Sequence, residues 1–579
     1  MTYSNIPAAQ TLVLYFKTKG IKNIVISPGS RNAPLTLSFS KHPDFNCFSI
    51  VDERCAGFFA LGMAQQLQEP VAVVCSSGSA MLNYYPAVAE AFYSDIPLVV
   101  VSADRPQYKI DIGDGQTIRQ QDIFEKHIGY SANLKQDVCH NTETYKKYAV
   151  EGQNESQESI QNHNVLEIQK ALDIAFEYRT PVHINIPFEE PLYGTTTVPL
   201  VEVKKLQKTS SNAKTQVDFA LLKNIWDSSS KKMVLVGVNP PDELESDIIR
   251  NLGEDDNVLV FTETTSNVHH PNFYPSIDSI IAPLEKASDK EEKFRALQPD
   301  LLVTFGGLIV SKKIKAFLRD YQPKNHWHIG GKKAYDTFFC LKEHVNIHPN
   351  DFFRQMYQQP KALEDSYRLQ WDSVKQHYEK RRAEYLKQIS FSDFTAFDEI
   401  LKNIPRGYQV HLANSSTVRY AQLFSMNPSL HIYCNRGTSG IDGSTSTAMG
   451  AAVHHKNPTV LLTGDLSFFY DSNGLWHNYV RSDFRIILIN NGGGGIFRIL
   501  PGFEETKDFS TFFETQHDHS AEQLAKMYHF DYDCVKDASD LRKSLVGFYA
   551  ESTAPKLLEI RTPTAVNNKI LLDYFDFIS

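Results

Sequence analysis

Two breaks in the apolar sequence toward the C-terminal end supply oxygens that suit a hard cation. The run PTVLL (458–462) reads as a buried strand and breaks at Thr463-Gly464-Asp465. After a stretch long enough for a helix, a second apolar run, Phe484 to Ile489, ends on Asn490-Asn491 and the glycines Gly492 to Gly495. Strand, helix, strand with polar residues at both strand exits is where an open parallel sheet places its ligand site. Asp465 offers a carboxylate, Asn491 a side-chain carbonyl and the glycine run a bare backbone carbonyl. Those oxygen types suit an octahedral cation such as Mg²⁺, with the other positions left to a diphosphate and water. The glycines let backbone N–H groups approach phosphate oxygens. Taken singly, Gly-Asp, Asn-Asn and Gly-Gly are also ordinary turn punctuation.

The N-terminal part holds a second set of such residues. A short strand, Asn23 to Ile26, runs into Ser27-Pro28-Gly29-Ser30-Arg31-Asn32, which reads either as an anion site of backbone N–H groups and a guanidinium or as a plain strand-to-helix turn. Cys47 to Val51 leads to Asp52-Glu53-Arg54 and a small-residue helix, AGFFALGMA. Glu53 lies between an apolar strand and a packed helix start, so it is expected to be partly buried; a favourable charge at a helix N-terminus is the plainer role. The two parts share a skeleton. Gly62 and Pro70 are followed by VAVVCSSG and IPLVVVSAD; Gly450 and Pro458 are followed by TVLLTGD and FRIILINN. In both, the proline follows the glycine by eight positions. This reads as a long-period repeat of one α/β unit, two copies of which can clasp one cofactor.

The rest of the chain must position these residues. At 579 residues it exceeds one core, and three or four domains are expected. No apolar run approaches the roughly eighteen residues needed to span a bilayer, and the N-terminus lacks the pattern of a signal peptide. Seven scattered cysteines without a CxxC pair fit reduced thiols in a cytoplasm. A net charge of −9 argues against nucleic acid and means that an anionic substrate needs local cations. Leu12 to Lys19 reads as a helix, residues 151–164 as a polar loop, and TPVHINIPFEEPLYG (180–194) as a last strand closing the first domain near 195. VPLVEVKKLQKTSSNAKTQ reads as a linker. A middle domain has strand candidates at 233–238, 257–261 and 301–306, with Lys312 and Lys313 at a helix start. The charged, helix-prone segment 360–390 leads to a third domain with strands at 409–414, 430–435, 458–462, 484–490 and 556–560. The expected fold is therefore α/β, with three domains of parallel sheets flanked by helices, the first and third related.

A Gly-Asp followed about twenty-five residues later by Asn-Asn, each directly after an apolar strand, resembles the fingerprint of thiamine diphosphate (ThDP) enzymes. The usual third residue of that fingerprint is glycine; here it is Leu466, as in one branch of the family. The resemblance covers nearly the whole chain. It implies a pyrimidine-binding domain (1–195), a central domain (196–358) and a diphosphate-binding domain (359–579). It implies that Asp465, Asn491 and the Gly493 carbonyl hold Mg²⁺ or Mn²⁺, and that Asn414, Gly464, Leu466, Ser467 and Gly494 also line the cofactor. Glu53 would exchange a proton with the aminopyrimidine ring, a role suited to a carboxyl whose pKa is raised. Ile441 would keep the cofactor bent.

Ser27 to Thr36, Ser102 to Pro106, Asn435 to Gly443 and Asn491 to Phe497 occur together, a combination similar to the ThDP carboligases of menaquinone biosynthesis. That branch implies a transferase that decarboxylates 2-oxoglutarate and adds the succinyl unit to isochorismate. Both substrates are dicarboxylates, which arginine grips well. Matching positions supply Arg31, Arg105, Arg419 and Arg436, with Lys312 and Lys313 from the middle domain. Ser30, Gln116 and Ser415 add neutral donors, and Ile496 and Phe497 an apolar wall. Lys313 stands where relatives often have arginine, and Gly115 where some have asparagine. The resemblance also implies a homodimer or homotetramer with sites between subunits. An acetolactate-synthase-like carboligase, a simple 2-oxo acid decarboxylase and a non-catalytic ThDP-fold protein are the alternatives.

Overall fold

The computed structural model describes residues 1–148, 155–203, 217–331, 333–357, 367–499 and 504–579. Three parallel sheets flanked by helices carry the chain. The first contains β1 (Asn23–Ile26), β2 (Asn46–Ser49), β3 (Val71–Cys75), β4 (Leu98–Asp104), β5 (Tyr130–Asn133) and β6 (Val182–Pro187), in the order β2-β1-β3-β4-β6-β5. The middle sheet contains β7 (Lys232–Val236), β8 (Val258–Phe261), β9 (Leu301–Phe305), β10 (Asn325–Ile329) and β11 (Glu343–Val345), in the order β8-β7-β9-β10-β11. The last contains β12 (Gln409–Leu412), β13 (His431–Tyr433), β14 (Thr459–Gly464), β15 (Arg485–Asn490), β16 (Asp531–Val535) and β17 (Lys556–Arg561), in the order β13-β12-β14-β15-β17-β16. Numbered within their own sheets, the first and last share one winding, so the repeat read from sequence is a repeat of topology. Strands β3, β4 and β15 are buried along their whole length, as parallel strands covered on both faces must be.

By compactness the chain falls into two units. One comprises Met1–Ser210, Gly437–Lys456 and Phe469–Phe484; the other comprises Ser211–Arg436, Asn457–Phe468 and Arg485–Ser579. Within the first unit, the Glu53–Leu67 helix crosses the Ser444–His454 helix almost backbone to backbone. A Cβ on Gly62 would lie 2.0 Å from the Thr447 carbonyl oxygen, and one on Gly450 would lie 1.9 Å from that of Phe59. The glycines of the repeated motif are thus the two residues at a helix crossing that admits no side chain.

Some elements differ from the sequence reading. The polar stretch expected as a loop is helical from Gln157 to Tyr178, with the Ser156 side chain capping Ser159 N–H. Its apolar signal, Ile160, Ile168, Ala171, Leu172 and Ala175, is diluted by amides, of which Asn164 and Gln169 are buried. Residues 151–154, 204–216 of the linker and 358–366 lie outside the described residues; the remainder of the charged segment forms the Leu369–Leu386 helix. The N-terminal helix starts earlier than expected, at Pro7. After Asp465 the chain makes a short helix, Asp465–Tyr470, and a tight turn, Ser472–Leu475, in place of one longer helix.

Candidate active site

Strands β14 and β15 are parallel neighbours, with Gly464 opposite Ile489, so Asp465 and Asn491 leave adjacent strands at the same end. Asp465 is buried; its Oδ1 accepts from Leu466 N–H (2.7 Å) and its Oδ2 from Gly493 N–H (2.9 Å). Gly493 has φ +148°, and a Cβ on it would lie 2.6 Å from the Glu514 carbonyl oxygen, so glycine is required there. The Asn491 amide is oriented by Asp393, whose Oδ2 accepts from Nδ2 at 2.9 Å. That leaves Asn491 Oδ1 buried without a hydrogen-bond partner among the described residues. A buried, donor-less amide oxygen beside a buried carboxylate is the polar set that a hard divalent cation satisfies. Gly464 and Leu466 are half-buried and Ser467 is buried beside them. Gly494 N–H donates to the Glu514 carbonyl at 2.6 Å, and Gly495 N–H to that of Gly493 at 3.0 Å. Ile496 and Phe497 follow, half-buried, in the Gly495–Ile499 turn.

Sequence reading missed two groups here. Asp393 is fully buried; desolvation pushes its carboxyl up to about 6 against hydrogen bonds from Thr562 and Asn491. His517 Nε2 lies 3.3 Å from Asp465 Oδ2, and that carboxyl neighbour holds the imidazole above its ordinary pKa. Neither sits near a motif, so only tertiary packing reveals them.

In the first unit, Glu53 opens its helix behind the cap residue Asp52, whose Oδ1 accepts from Arg54 N–H (3.0 Å) and Cys55 N–H (3.3 Å). Glu53 is half-buried, and desolvation raises its carboxyl pKa. It lines a cavity of about 210 Å³ with Pro28, Gly29, Ser30, Ser76 and Gln116. Gln116 adopts φ +56°, and a Cβ on Gly115 would meet nothing within 4 Å, so an asparagine would fit there. Ile441 belongs to the same unit and is half-buried.

The arginines fall into two groups. Arg31 is 4% exposed; its Nη1 donates to the Phe188 carbonyl at 2.8 Å and it pairs with Glu190. Arg105 approaches the same carboxylate at 4.0 Å, and Lys109 lies 2.7 Å from Glu189 and 3.0 Å from Glu190. Burial alone would raise the Glu190 pKa; hydrogen bonds involving Glu189, Arg31 and Lys109 instead hold it well below the carboxylate range. Arg31 Nε and Arg105 Nε remain buried donors without partners among the described residues.

The second group lies where β12 and β13 end. Arg419 donates to the Ser415 carbonyl at 2.6 Å and Arg436 to Asn414 Oδ1 at 2.6 Å. Desolvation and the neighbouring Arg436 lower the Arg419 pKa. Beside them are two carboxyls absent from the sequence reading, Glu263 buried and Asp278 half-buried. Glu263, pushed up to about 7 by burial, accepts from Val310 N–H and Ser311 N–H; Asp278 accepts from the Ser311 hydroxyl. The two lysines divide. Lys312 is exposed, whereas Lys313 pairs with Glu285 and lies 5.9 Å from the Phe575 ring centre. Lys315, one turn on from Lys312, is half-buried and makes no ion pair or hydrogen bond among the described residues. Its pKa is lowered by burial, and Glu263, Arg436 and Lys312 are among the charges acting on it.

Residues 6–128 match the family model of the thiamine pyrophosphate enzyme N-terminal TPP binding domain, and residues 414–560 match that of the C-terminal TPP binding domain. The chain is 50% identical, over 100% of both sequences, to the 2-succinyl-5-enolpyruvyl-6-hydroxy-3-cyclohexene-1-carboxylate synthase of Christiangramia forsetii. The chain belongs to this synthase family. The synthase of Flavobacterium johnsoniae is 49% identical over 99% of both chains, and that of Porphyromonas gingivalis 37% identical over 100% of this chain and 98% of its own. As a member of the synthase family the chain is a ThDP-dependent enzyme, and the matched stretches contain the Glu53 cavity and the Asp465–Asn491 strand exits. Among the described residues of this synthase-family chain, no helix is long and apolar enough to cross a membrane.

Proposed function

We propose that the chain decarboxylates 2-oxoglutarate and adds the remaining four-carbon unit to isochorismate by 1,4-addition, giving 2-succinyl-5-enolpyruvyl-6-hydroxy-3-cyclohexene-1-carboxylate and CO₂. The full-length identity to relatives bearing that name carries the reading. Charge supports it independently: Arg419, Arg436, Lys312 and Lys315 outnumber two carboxyls whose burial disfavours ionisation, an imbalance that an anionic substrate corrects.

Bound ThDP supplies the electron sink on which a 2-oxo acid loses CO₂. The protein's part is to hold and orient. Asp465, Asn491 Oδ1 and the Gly493 carbonyl would hold Mg²⁺ or Mn²⁺ against the diphosphate, with Asn414, Gly464, Leu466, Ser467 and Gly494 around it and Ile441 beneath the bend. Glu53 would keep a proton on a desolvated carboxyl oxygen and exchange it with a ring nitrogen of the cofactor. Arg31 and Arg105 each keep a buried Nε donor for a carboxylate, and Ser30, Gln116 and Ser415 add neutral bonds. From the middle domain we assign Lys312 and Lys315; Lys313 is occupied by Glu285. Ile496 and Phe497 would wall off water. The domain assignment follows: pyrimidine-binding 1–195, central 196–358, diphosphate-binding 359–579. Seven free thiols support a cytoplasmic location.

Mass analysis of products from 2-oxoglutarate and isochorismate tests the reaction; a wild type that preferred pyruvate, or formed a carboligation product without isochorismate, would place it among acetolactate-synthase-like enzymes or decarboxylases. Arg419→Ala is expected to lower kcat/KM about ten- to a hundred-fold, the loss of one charge-assisted hydrogen bond of roughly 1.5–3 kcal/mol. Lys315→Met should raise KM for one substrate while Lys313→Met does not, and the reverse would restore the original lysine assignment.

We further propose a homodimer or homotetramer with shared sites. The membership of the chain in a ThDP enzyme family, whose resemblance implies Glu53 of one chain facing the diphosphate domain of another, supports sharing between chains. Mixing dissociated Glu53→Gln and Asp465→Ala proteins should then restore activity, up to one intact site per pair. Heterodimers confirmed by native mass spectrometry but inactive would favour sites built within one chain.

A further inference from the structure

We propose that Asp471 is a positioning residue for Glu53, clamping the first turn of the Glu53–Leu67 helix to the start of the Ser444–His454 helix. The proposal rests on the role assigned to Glu53 above.

Asp471 is fully buried. On one side its Oδ2 accepts from Ser446 N–H at 2.7 Å and its Oδ1 from the Ser446 hydroxyl at 2.8 Å. The Ser444–His454 helix begins at Gly443, which has no side chain to cap it, so this carboxylate meets an end that its own sequence leaves open. On the other side Asp471 Oδ1 lies 3.6 Å from Arg54 Nη2 and accepts from the Cys55 thiol at 3.5 Å. The neighbouring residues extend the clamp. Arg54 Nη2 donates to the Tyr470 carbonyl at 3.0 Å, its guanidinium lying 4.8 Å from the Tyr470 ring centre. Asn473 Nδ2 donates to Asp52 Oδ2 at 2.9 Å while Asp52 Oδ1 caps the helix. The 470–473 segment therefore grips Asp52, Arg54 and Cys55, on either side of Glu53, whose own side chain lines the cavity.

A carboxyl oxygen that exchanges a proton with a bound ring needs its backbone fixed to a fraction of an ångström, and a half-buried environment that depends on the first turn staying closed. The ionisable neighbours of this pair are Asp52, Arg54 and Cys55 on the same helix, Cys75 at the end of β3, Tyr84, and Asp471 itself. A clamp that only stabilised the fold would leave activity per folded molecule unchanged.

The test compares holoenzyme variants. Asp471→Asn puts an amide donor against Ser446 N–H or Arg54; kcat is expected to fall at least about tenfold with KM changed less than about threefold. The limb of the kcat–pH profile at which a proton-holding Glu53 ionises as pH rises should move down in pH, as water reaching a loosened first turn returns Glu53 toward its ordinary value. Ser446→Ala removes one hydroxyl, shared with Asp471 and Cys55, but keeps the backbone N–H bond to Asp471 and both Asp471 contacts to the Glu53 helix; it should cost stability while leaving kcat and the limb in place. Should Asp471→Asn fail to fold, Arg54→Met releases the Glu53 side alone and should show the same fall and shift. Wild-type kcat and limb in the folded variant, or an equal shift in Ser446→Ala, would overturn the proposal. If Glu53→Gln itself were fully active, the underlying reading of Glu53 would fail instead.

Discussion

Asp465→Ala is expected to lose at least about a hundred-fold in ThDP affinity measured by calorimetry in saturating Mg²⁺, equivalent to about 2.7 kcal/mol or more. Asp465 is the one carboxylate in the proposed oxygen set, and a diphosphate brought without a cation to a chain of net charge −9 meets an unfavourable field. The substitution also frees Gly493 N–H, which donates to Asp465 Oδ2 at 2.9 Å, so the glycine turn loses an anchor. Asp393→Asn should act more mildly, about ten- to a hundred-fold, since it removes no proposed metal ligand and disturbs the Asn491 amide and the Thr562 hydroxyl that its carboxyl orients. Unchanged affinity in Asp465→Ala would dismiss the metal assignment.

How much of this was legible in the sequence depends on how far apart the cooperating residues lie. Asp465 and Asn491 could be read because each directly follows an apolar strand, and parallel neighbours bring their exits together. The same held for Gly62 and Gly450, whose matched spacing to a proline exposed the repeat. Asp393 could not be read: its carboxyl is held by Asn491 and Thr562, across 98 and 169 positions. Strand β10 carries no continuous apolar run because His326 and His328 break its pattern, although His326 is buried, His328 half-buried and both are bonded to Thr304. Arg31 and Arg105 were read as substrate cations, but nothing in sequence foretold their convergence on Glu190. The resemblance points to Lys313 together with Lys312, and only the packing of Glu285 and Phe575 shows that Lys313 is engaged.

The repeat also shows how one winding serves two chemistries. In each sheet the third strand in chain order carries the polar exit. After β3 this is Ser76-Ser77-Gly78, beside the Glu53 cavity, all neutral. After β14 it is Asp465, the carboxyl residue of the proposed metal set. A neutral exit leaves the Glu53 carboxyl without a nearby counter-charge from that strand, which is the condition under which burial raises its pKa rather than a partner lowering it.

Glu53→Gln should therefore have two opposite effects. In the holoenzyme, kcat is expected to fall by about 10²–10⁴, the usual worth of a positioned acid–base group, because an amide keeps the shape but exchanges no proton. In the apoenzyme the same change should stabilise the fold. Desolvation raises the folded-state pKa of Glu53 above its unfolded value. Its contribution thus favours the fold fully below the unfolded pKa and is lost as pH rises through the folded one. Glutamine does not titrate, so the advantage of the variant should be absent in acid, grow through that window and level off above it. Thermal unfolding of both apoproteins across pH reads this directly. A variant equally active would end the acid–base role. A stability difference that stayed flat with pH would mean that folding leaves the Glu53 pKa unchanged, and one that favoured the wild type increasingly toward neutrality that Glu53 gains a stabilising partner; either would show that the cavity does not keep its carboxyl poised to hold a proton.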